Sequence, residues 1–223
     1  MTTTPKPLCA NRQKELDQYD RLMPILQKGL NALNLELSLT TQEKTIKYIE
    51  LLHKWNQAYN LTAIRDPESI LIRHIFDSLA VTPFIIGPNI LDFGTGAGLP
   101  GIPLALALPK YDFVLLDSAN KKTTFLSHVL LSLDIKNVTV VTKRIEAFDF
   151  TSGFATIITR ATTTLSATIA QTQHLRAKNG QILAMKGKYP AEELGAIAEP
   201  TEIHRIKVPY LDEERHLIKI FED

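Results

Sequence analysis

From residue 89 onward, short apolar runs alternate with segments of helical length, and no other feature of this 223-residue sequence constrains the fold as strongly. Helix-length segments separate the first five runs, an alternation that produces right-handed βαβ units and a mainly parallel sheet. Only residues 209–215 separate the last two runs. This gap is too short for a helical crossover, so the last two strands should pair as an antiparallel hairpin at one edge of the sheet. The predicted strands are residues 90–93, 113–117, 138–141, 155–159, 181–185, 203–208 and 216–220.

The sequence before residue 89 carries only helical signals. Thr40 and Glu43 have the spacing of a capping box, which predicts a helix start. Apolar residues then recur every three or four positions until a predicted helix end near Asn60. An earlier helix is expected across residues 15–35.

A further helix start is predicted at residues 66–68, where Asp-Pro-Glu supplies a capping carboxylate, a proline at the first helical position and an acid in the first turn. We therefore predict two parts: an N-terminal helical cap at residues 1–88 and a Rossmann-like α/β core at residues 89–223, folded as a single compact unit. The buried stripe of the 66–68 helix should comprise Ile70, Leu71, Ile75 and Leu79.

The composition excludes several classes of protein. The 25 basic and 24 acidic side chains give a net charge of +1, and a 44% hydrophobic content is ordinary for a folded domain. Cys9 is the only cysteine, so no intrachain disulfide and no cysteine metal cluster can form, and the six histidines lack ligand spacing. The sequence has neither a signal-peptide apolar region nor a long apolar run. We expect a cytoplasmic protein with no metal and no membrane span.

The run DFGTGAGLPG at residues 92–101 directly follows the first predicted strand and precedes a helix. Glycines such as Gly94 and Gly96 let the chain turn sharply and let a ligand approach the backbone, while the next helix offers free N–H groups. The loop therefore predicts a nucleotide-like ligand, and the alternative is a glycine-rich turn without one. The dinucleotide fingerprint requires glycine where this chain has Leu99, so the D-x-G-x-G pattern argues against NAD.

Polar residues also follow the next four strands, at the edge where open α/β sheets bind ligands. Asp117 can accept both hydroxyls of a ribose, or it can cap the helix that follows. Residues 143–146 (KRIE) can present a backbone amide and an apolar side chain to an adenine edge, or form a solvated charge pair. Arg160 ends an apolar strand, where an unpaired charge is costly, which favours a functional role. Lys186 and Lys188 follow the fifth strand, either as anion contacts or as ordinary loop lysines.

Eight motifs are spread over this framework: KWNQAYNLTAIRDP (54–67), RHIFDSL (73–79), DFGTGAGLPGIPLA (92–105), LLDS (115–118), KRIEAF (143–148), ITRA (158–161), MKGK (185–188) and ERHL (214–217). Through them, from about residue 48 to residue 220, the chain resembles the RsmG (GidB) family, S-adenosylmethionine-dependent methyltransferases of bacterial small-subunit ribosomal RNA. The resemblance implies a class I methyltransferase fold, with a seven-stranded, mainly parallel sheet, an antiparallel edge hairpin and an N-terminal helical cap. It also implies N7 methylation of one guanine, at position 527 of the 16S rRNA in the 30S subunit.

The resemblance assigns roles to individual residues. It implies that Asp117 binds the ribose and that Arg160 is a catalytic residue that positions the reactants without acting as a general base. Phe93 and Ala97 differ from the loop residues of relatives, and Lys122 stands where related chains often carry arginine, so a bidentate phosphate contact there is not expected. The implied cofactor-binding residues are Gly94, Gly96, Leu99, Asp117, Ile145, Glu146 and Arg160.

The expected chemistry agrees with this resemblance. Guanine N7 exposes a lone pair and carries no proton, so methyl transfer to it needs positioning and electrostatics rather than a general base. No catalytic triad or carboxylate pair stands out in the sequence. Methylation at carbon 5 of a pyrimidine needs a thiolate, and Cys9 is far out in the tail. The turn at residues 159–162 reads TRAT, without the Asp/Asn-Pro-Pro-aromatic pattern common in enzymes that methylate exocyclic amines.

Charge is unevenly distributed along the chain. Residues 118–188 contain ten basic and three acidic side chains, a local net charge of +7 in a chain whose total is +1. This asymmetry predicts a phosphate-binding face, whereas the alternative is a chance cluster spread over several faces. The oligomeric state stays open, with a monomer expected. The predicted RNA contacts are Lys122, Lys143, Arg144, Lys186, Lys188 and Arg215.

Three other functions remain open from the sequence. One is a methyltransferase that acts on a small molecule or a protein, and another is a cofactor-binding regulator without catalysis. The third is an NAD-dependent oxidoreductase, against which Leu99 argues.

Overall fold

The computed structural model describes residues 18–160 and 163–221. Its seven strands are β1 (Asn89–Phe93), β2 (Asp112–Asp117), β3 (Val138–Thr142), β4 (Phe154–Arg160), β5 (Arg176–Lys186), β6 (Thr201–Arg205) and β7 (His216–Ile220). They form one sheet in the order β3-β2-β1-β4-β5-β7-β6. The first five strands are parallel, and β7 is antiparallel to both β5 and β6. The predicted fold class, including the antiparallel edge hairpin, is confirmed. Cys9, residues 15–17 of the first predicted helix and residues 161–162 lie outside the described residues.

Two strand predictions are wrong in their bounds. β5 begins at Arg176 rather than at residue 181, because Arg176 already pairs with Phe154 across a β-bulge. β6 covers Thr201–Arg205 rather than residues 203–208. Its extent is set by the ladder with β7, which includes polar residues at both ends, and not by its own apolar side chains.

Eight α-helices lie within the described residues, and the local sequence explains where two of them begin. Ser38 Oγ accepts a hydrogen bond from the Thr41 N–H at 3.2 Å, so Ser38 is the N-cap of α2 and the capping box predicted at Thr40 is wrong. Asp66 Oδ2 accepts from the Ser69 N–H at 2.7 Å, which confirms the predicted start there. The helices are α1 (Leu22–Ala32), α2 (Leu39–Tyr59), α3 (Pro67–Ile70), α4 (Asp77–Leu79), α5 (Gly101–Ala107), α6 (Asn120–Leu133), α7 (Leu165–Thr172) and α8 (Ala191–Leu194).

A π-helical turn, Leu71–Phe76, joins α3 to α4 into one continuous helical stretch. The four residues predicted to form its buried stripe are all buried. Gly29 of α1 packs directly on this stretch, since a Cβ atom there would overlap the Phe76 ring. π-Helical turns inside α-helices are frequent at functional sites.

The two faces of the sheet carry separate apolar clusters, as alternation along each strand requires. On one face, Ile90, Leu115 and Ile158 belong to the cluster that also contains the buried residues of α1–α6. On the other face, Leu91 and Ile157 pack with α7 and its neighbouring turns. The N-terminal helices therefore share a core with the sheet, and the division between residues 1–88 and 89–223 stays a prediction drawn from the sequence.

Candidate functional site

The loop between β1 and α5 contains three glycines in left-handed backbone conformations. Their φ angles are +68° at Gly94, +61° at Gly96 and +92° at Gly98, a region that side-chain-bearing residues rarely adopt. A Cβ atom on Gly96 would have as its nearest neighbour the Gly94 carbonyl oxygen, 3.9 Å away. The backbone at Gly96 therefore borders open space, as a ligand-binding loop requires.

Asp92 holds this loop in shape. Its Oδ2 accepts hydrogen bonds from Thr95 Oγ1 at 2.6 Å and from the Gly101 N–H at 2.8 Å. Asp92 is fully buried, and burial raises the pKa of its carboxyl group to about 6. Its Oδ1 has no hydrogen-bond partner among the described residues. Asp92 is absent from the predicted site residues, although the first letter of D-x-G-x-G marks it.

Asp117 ends β2 and contacts the glycine loop. Its Oδ2 accepts from the Gly96 N–H at 2.9 Å and from Lys122 Nζ at 3.1 Å, and its Oδ1 accepts from the Ala119 N–H at 2.9 Å. The bond to Ala119 forms a tight turn before α6. The N-cap of that helix is Ala119 and not Asp117, so the alternative that Asp117 caps the helix is wrong. A carboxylate oxygen can accept two hydrogen bonds, so Oδ1 retains capacity for a ribose hydroxyl. The ribose role stays a prediction.

A cleft of about 260 Å³ opens beside this loop, at the carboxyl ends of β1, β2 and β3, and we call it the β1–β3 cleft. It brings together four predicted cofactor residues: Gly94, Asp117, Ile145 and Glu146. Leu99 is not among its lining residues, since its side chain is buried in the core on one face of the sheet. The lining residues are Phe93, Gly94, Leu116, Asp117, Ser118, Lys122, Lys143, Arg144, Ile145, Glu146 and Gln171.

A larger cleft, of about 420 Å³, lies at the carboxyl ends of β4 and β5, between the π-helical turn and the β6–β7 hairpin. We call it the β4–β5 cleft. It brings together Arg160, Lys186 and Arg215 from the predicted site, whereas Lys188 is exposed and lines neither cleft. The lining residues are Ile64, Arg73, His74, Asp77, Val81, Arg160, Met185, Lys186, Gly187, Ile206, Arg215 and His216.

Asp77 joins two arginines in the β4–β5 cleft. Its Oδ1 lies 3.1 Å from Arg215 Nε and its Oδ2 lies 3.5 Å from Arg160 Nη1. Arg215 also contacts Glu213, whose other oxygen accepts from Arg73 Nη2 at 2.6 Å. Burial raises the pKa of Asp77, and the two guanidinium groups oppose that shift. Asp77 is missing from the predicted site residues, and the RHIFDSL motif was the signal that could have identified it.

His74 packs against Arg160 on the same wall. Its Nδ1 lies 3.1 Å from Arg160 Nη1, and its Nε2 lies 2.8 Å from Thr62 Oγ1. Burial, together with the positive charge of Arg160, lowers the pKa of His74 to about 3. The imidazole is therefore neutral at physiological pH and a weak base.

Lys186 is held in place by an ion pair. Its Nζ lies 2.8 Å and 3.0 Å from the two carboxylate oxygens of Glu193 and 2.9 Å from the Thr163 carbonyl oxygen. Glu193 also accepts from the Leu165 N–H at 2.8 Å. Lys186 and Glu193 together therefore connect the end of β5 to α8 and to the start of α7. By contrast, Lys143, Arg144 and Lys188 are exposed, and their side chains make no hydrogen bond or ion pair with the described residues.

Tyr48 connects the N-terminal helices to the glycine loop. Its hydroxyl donates a hydrogen bond of 2.7 Å to the Ala97 carbonyl oxygen, and the whole side chain is buried. Burial raises the pKa of this phenol well above its usual range. No sequence motif pointed to this contact, which joins residues 49 positions apart.

The predicted basic face is concentrated at the carboxyl edge of the sheet. Of the ten basic residues in the segment 118–188, three lie at the opposite edge of the sheet. Lys136 precedes β3, and Arg176 and Lys178 lie at the start of β5. The other seven follow the carboxyl ends of β2–β5, at Lys121, Lys122, Lys143, Arg144, Arg160, Lys186 and Lys188.

Within residues 18–160 and 163–221, no group of three or more His, Cys, Asp or Glu side chains is arranged to hold a metal ion. No helix in the same ranges combines the length and the apolar character needed to cross a membrane.

Comparison with known proteins then decides the family. The family model described as rRNA small subunit methyltransferase G (GidB) matches residues 41–218, a range that includes both clefts. The chain belongs to this family. It is 46% identical over 198 residues to the ribosomal RNA small subunit methyltransferase G of Hahella chejuensis, covering 87% of this chain and 91% of that protein. It is 42% identical over 200 residues to the protein of the same name from Alteromonas mediterranea, covering 88% and 95%.

Solved structures of other methyltransferases share the fold of this chain. The tRNA (m1A58) methyltransferase TrmI from Aquifex aeolicus superposes with a TM-score of 0.54 at 11% identity, over 66% of this chain and 68% of that one. A SAM dependent methyltransferase from Aquifex aeolicus also gives a TM-score of 0.54, at 14% identity, over 69% and 93%. At these identities the likeness concerns the fold alone.

Proposed function

We propose that the protein transfers the methyl group of S-adenosylmethionine to N7 of one guanine in the 16S rRNA of the small ribosomal subunit. The observation that carries this proposal is the match to the rRNA small subunit methyltransferase G family over residues 41–218, which contain every predicted site residue. The activity belongs in the cytoplasm, where ribosomal subunits are, and we propose that a monomer carries it out.

The β1–β3 cleft fits S-adenosylmethionine. The bare backbone at Gly96 leaves room for a ligand, Asp117 Oδ1 can accept from a ribose hydroxyl, and Ile145 supplies an apolar surface for a purine. Gly94 and Glu146 line the same cleft. When bound, the cofactor supplies an electrophilic methyl group on a sulfonium.

Leu99 and Arg160 act outside this cleft in the proposal. Leu99 is buried behind the glycine loop and supports its shape. Arg160 ends β4, the strand beside β1, where Thr159 Oγ1 donates to the Phe93 carbonyl oxygen at 3.0 Å. This neighbouring position puts a guanidinium at the boundary between the two clefts.

The groups around Arg160 suit a reaction that removes no proton. N7 of guanine attacks with its own lone pair, so the enzyme contributes orientation and electrostatic stabilisation. His74 has a pKa of about 3, which makes it a poor base, and Asp77 is engaged by two arginines. We therefore assign Arg160 a positioning role.

RNA would bind along the basic carboxyl edge. Lys143, Arg144 and Lys188 are exposed without an acidic partner among the described residues, so phosphates can pair with them at no cost in broken ion pairs. Lys122, Lys186 and Arg215 already contact Asp117, Glu193 and Asp77, respectively. We expect these three to orient the site and the exposed three to give binding that weakens with salt.

The test uses purified protein, S-adenosylmethionine labelled in its methyl group, and 30S subunits from a strain whose own copy of the gene is deleted. We expect label in the 16S rRNA, recovered as 7-methylguanosine after digestion. Large subunits from the same strain and 30S subunits from the parent strain serve as controls and should stay unlabelled. Cofactor binding without transfer to any ribosomal RNA would contradict the proposal and would favour a regulator.

A further inference from the structure

We infer that the surface where α2 and α6 meet binds an unpaired nucleotide of the ribosomal RNA, outside both clefts. The inference rests on the proposed function and adds a contact with the same partner. We call this surface the α2–α6 patch and define it by Trp55, Tyr59, Lys121 and His128. Its exposed aromatic ring, its charges and its position all suit such a ligand.

A short stack of rings ends at the surface of the patch. The Tyr59 ring lies over the Trp55 indole, with centroids 5.1 Å apart and planes inclined by 29°, and His128 packs against the same indole at 5.3 Å. The buried ring of Phe125 contacts Trp55 from the core at 5.5 Å. Tyr59 nevertheless stays 46% exposed. An aromatic ring that is supported on one side and open to solvent is a platform on which unpaired RNA bases stack.

The two segments that form the patch are basic. Residues 51–65 and α6 contain four Lys or Arg side chains and no Asp or Glu. Lys121 Nζ lies 3.3 Å from the Tyr59 carbonyl oxygen, and Arg65 Nη2 lies 3.0 Å from Asn60 Oδ1. Because these partners are uncharged, both cations can pair with phosphates beside the ring. The four are Lys54 and Lys122, which pair with Glu50 and Asp117, and Arg65 and Lys121, which have no acidic partner among the described residues.

The patch lies at the carboxyl edge of the sheet, beside the cofactor cleft. Lys121 is followed by Lys122, which lines the β1–β3 cleft and contacts Asp117 at 3.1 Å. In the other direction, the loop after α2 leads from Tyr59 to Ile64, which lines the β4–β5 cleft. Short segments therefore connect the patch to both clefts, and an RNA strand that reaches the cofactor can place a nucleotide close to the target on this surface.

The ligand that matches these features is a nucleotide rather than a protein surface. A single exposed ring offers little apolar area, whereas a stable protein interface buries roughly 800 Å² on each partner. Positive charge without acidic side chains beside it matches phosphate instead. Because a stacked base uses its flat face, Tyr59 should accept any of the four bases.

The first experiment compares Tyr59→Leu with Tyr59→Phe in the full-length protein, with 30S subunits that lack the modification as substrate. Leucine keeps an apolar cover over Trp55 but removes the flat ring, whereas phenylalanine keeps the ring. We expect the KM for 30S subunits to rise about tenfold in Tyr59→Leu and to be restored in Tyr59→Phe. The kcat and the Kd of S-adenosylmethionine should stay within about twofold, because the contact is equal in the ground state and the transition state. The matched control is Leu131→Ala, which truncates another exposed apolar side chain near the far end of α6.

The second experiment tests the phosphate contact. Lys121→Ala should raise the KM for 30S subunits about threefold and make it less dependent on salt concentration, because one fewer phosphate is neutralised. Lys110→Ala is the control, since Lys110 is an exposed lysine before β2, at the opposite edge of the sheet. The same salt dependence in both variants and the wild type would show that Lys121 contacts no phosphate and would overturn that part of the inference.

Ultraviolet crosslinking of the wild-type protein to 30S subunits, mapped by mass spectrometry, locates the contact independently of catalysis. We expect Tyr59 to be joined to 16S rRNA. The absence of this crosslink, a crosslink of Tyr59 to a ribosomal protein, or an unchanged KM in Tyr59→Leu would overturn the inference, as would an equal rise of KM in Tyr59→Phe. If the wild type methylates no RNA, the proposed function fails and the crosslink alone decides this inference. The crosslink also decides it should Tyr59→Leu unfold.

Discussion

The two clefts at the carboxyl edge of the sheet are neighbours, yet they are built in different ways. The β1–β3 cleft is lined mainly by short segments that follow the ends of β1, β2 and β3, and hydrogen bonds to Asp92 and Asp117 hold its glycine loop. The β4–β5 cleft joins a π-helical turn, two strand ends and a hairpin, which meet only in the folded chain. Ion pairs between residues 83 to 140 positions apart hold it together.

This difference predicts how each cleft responds to change. A substitution in the β1–β3 cleft should alter cofactor affinity and leave most of the stability intact, because few long-range contacts depend on it. A substitution in the ion-pair network of the β4–β5 cleft should lower stability and activity together. Each of the following experiments can break or sharpen this contrast.

The largest effect is expected for Asp77→Asn. It leaves Arg160 and Arg215, both largely buried, without their shared carboxylate. We expect the free energy of unfolding to fall by about 2–4 kcal/mol, because an uncompensated buried charge is costly. Methyl transfer should drop about 100-fold as the arginines lose their alignment. Urea unfolding and single-turnover kinetics measure the two effects.

Glu50→Gln is the matched control for Asp77→Asn. Glu50 pairs with Lys47 and Lys54 on the surface of α2, at 2.7 Å and 2.6 Å. Loss of such exposed pairs should cost less than about 1 kcal/mol. Equal losses of stability in the two variants would mean that the Asp77 network is no more than a surface feature.

Next in size is the pH dependence of stability, to which two buried titratable groups contribute: His74 in the β4–β5 cleft and Asp92 beneath the glycine loop. His74 has a pKa of about 3 when folded, below its ordinary 6.5, so the unfolded state binds a proton first as the pH falls. This favours unfolding by up to about 1.4 kcal/mol per pH unit between pH 6 and pH 4. His74→Gln should remove that slope. Urea midpoints across this pH range measure it.

Asp92 should act in the opposite direction. Its folded pKa of about 6 lies above its ordinary value of 3.8, so the folded state binds a proton first as the pH falls, and the stability it contributes is lost as the pH rises through that window. Asp92→Asn should therefore steepen the loss of stability toward acid. If neither variant changes the slope, the burial of the two groups is not what controls their titration.

A smaller and more local effect is expected for Gly96→Ala. An alanine at a φ of +61° costs about 1–2 kcal/mol, and its methyl group would lie in open space, with the Gly94 carbonyl oxygen at 3.9 Å as its nearest neighbour. We expect the Kd of S-adenosylmethionine to rise about tenfold, a change of 1.4 kcal/mol in binding. Isothermal titration calorimetry measures it, with Gly195→Ala as the control. An unchanged Kd would show that the cofactor does not approach Gly96.

The smallest effect is expected for Tyr48→Phe. The substitution leaves the Ala97 carbonyl oxygen without its buried donor and should cost about 1–2 kcal/mol of stability. Tyr59→Phe is the control, since Tyr59 is exposed and its hydroxyl makes no hydrogen bond with the described residues. A loss of cofactor affinity larger than the loss of stability would assign Tyr48 a direct role in shaping the loop.

The same contrast explains what the sequence could predict. The sequence predicts the β1–β3 cleft because each of its parts has a local pattern. These patterns are the D-x-G-x-G loop, Asp117 at the end of one strand and residues 143–146 after the next strand. In the β4–β5 cleft, Arg160, Lys186 and Arg215 could be placed at strand or hairpin ends, but not with their partners. The importance of the Asp77 carboxylate depends on two distant cations, Arg160 and Arg215, and local patterns contain no such information. Glu193 lies only seven positions from Lys186, but no sequence motif marks the pair.

The fold shows the same limit. Strand bounds were predicted well where burial on both faces makes a continuous apolar run, as in β1 and β2. They were wrong for β5 and β6, where pairing with a neighbour extends the ladder into polar residues such as Arg176 and Thr201. The cap at Ser38 could not be predicted from the capping-box pattern, because Ser38 has Thr41 three residues later, whereas Thr40 has Glu43 there.

Mass-spectrometric mapping of 16S rRNA from cells tests the proposed function most directly. RNA is compared from a parent strain, a strain with this gene deleted, and the deletion strain carrying either the wild-type gene or the Asp77→Asn variant. We predict that 7-methylguanosine at a single guanine disappears on deletion, returns with the wild-type gene and stays largely absent with the variant. An unchanged 16S rRNA in the deletion strain, or a lost methyl group on an atom other than N7, would contradict the proposal.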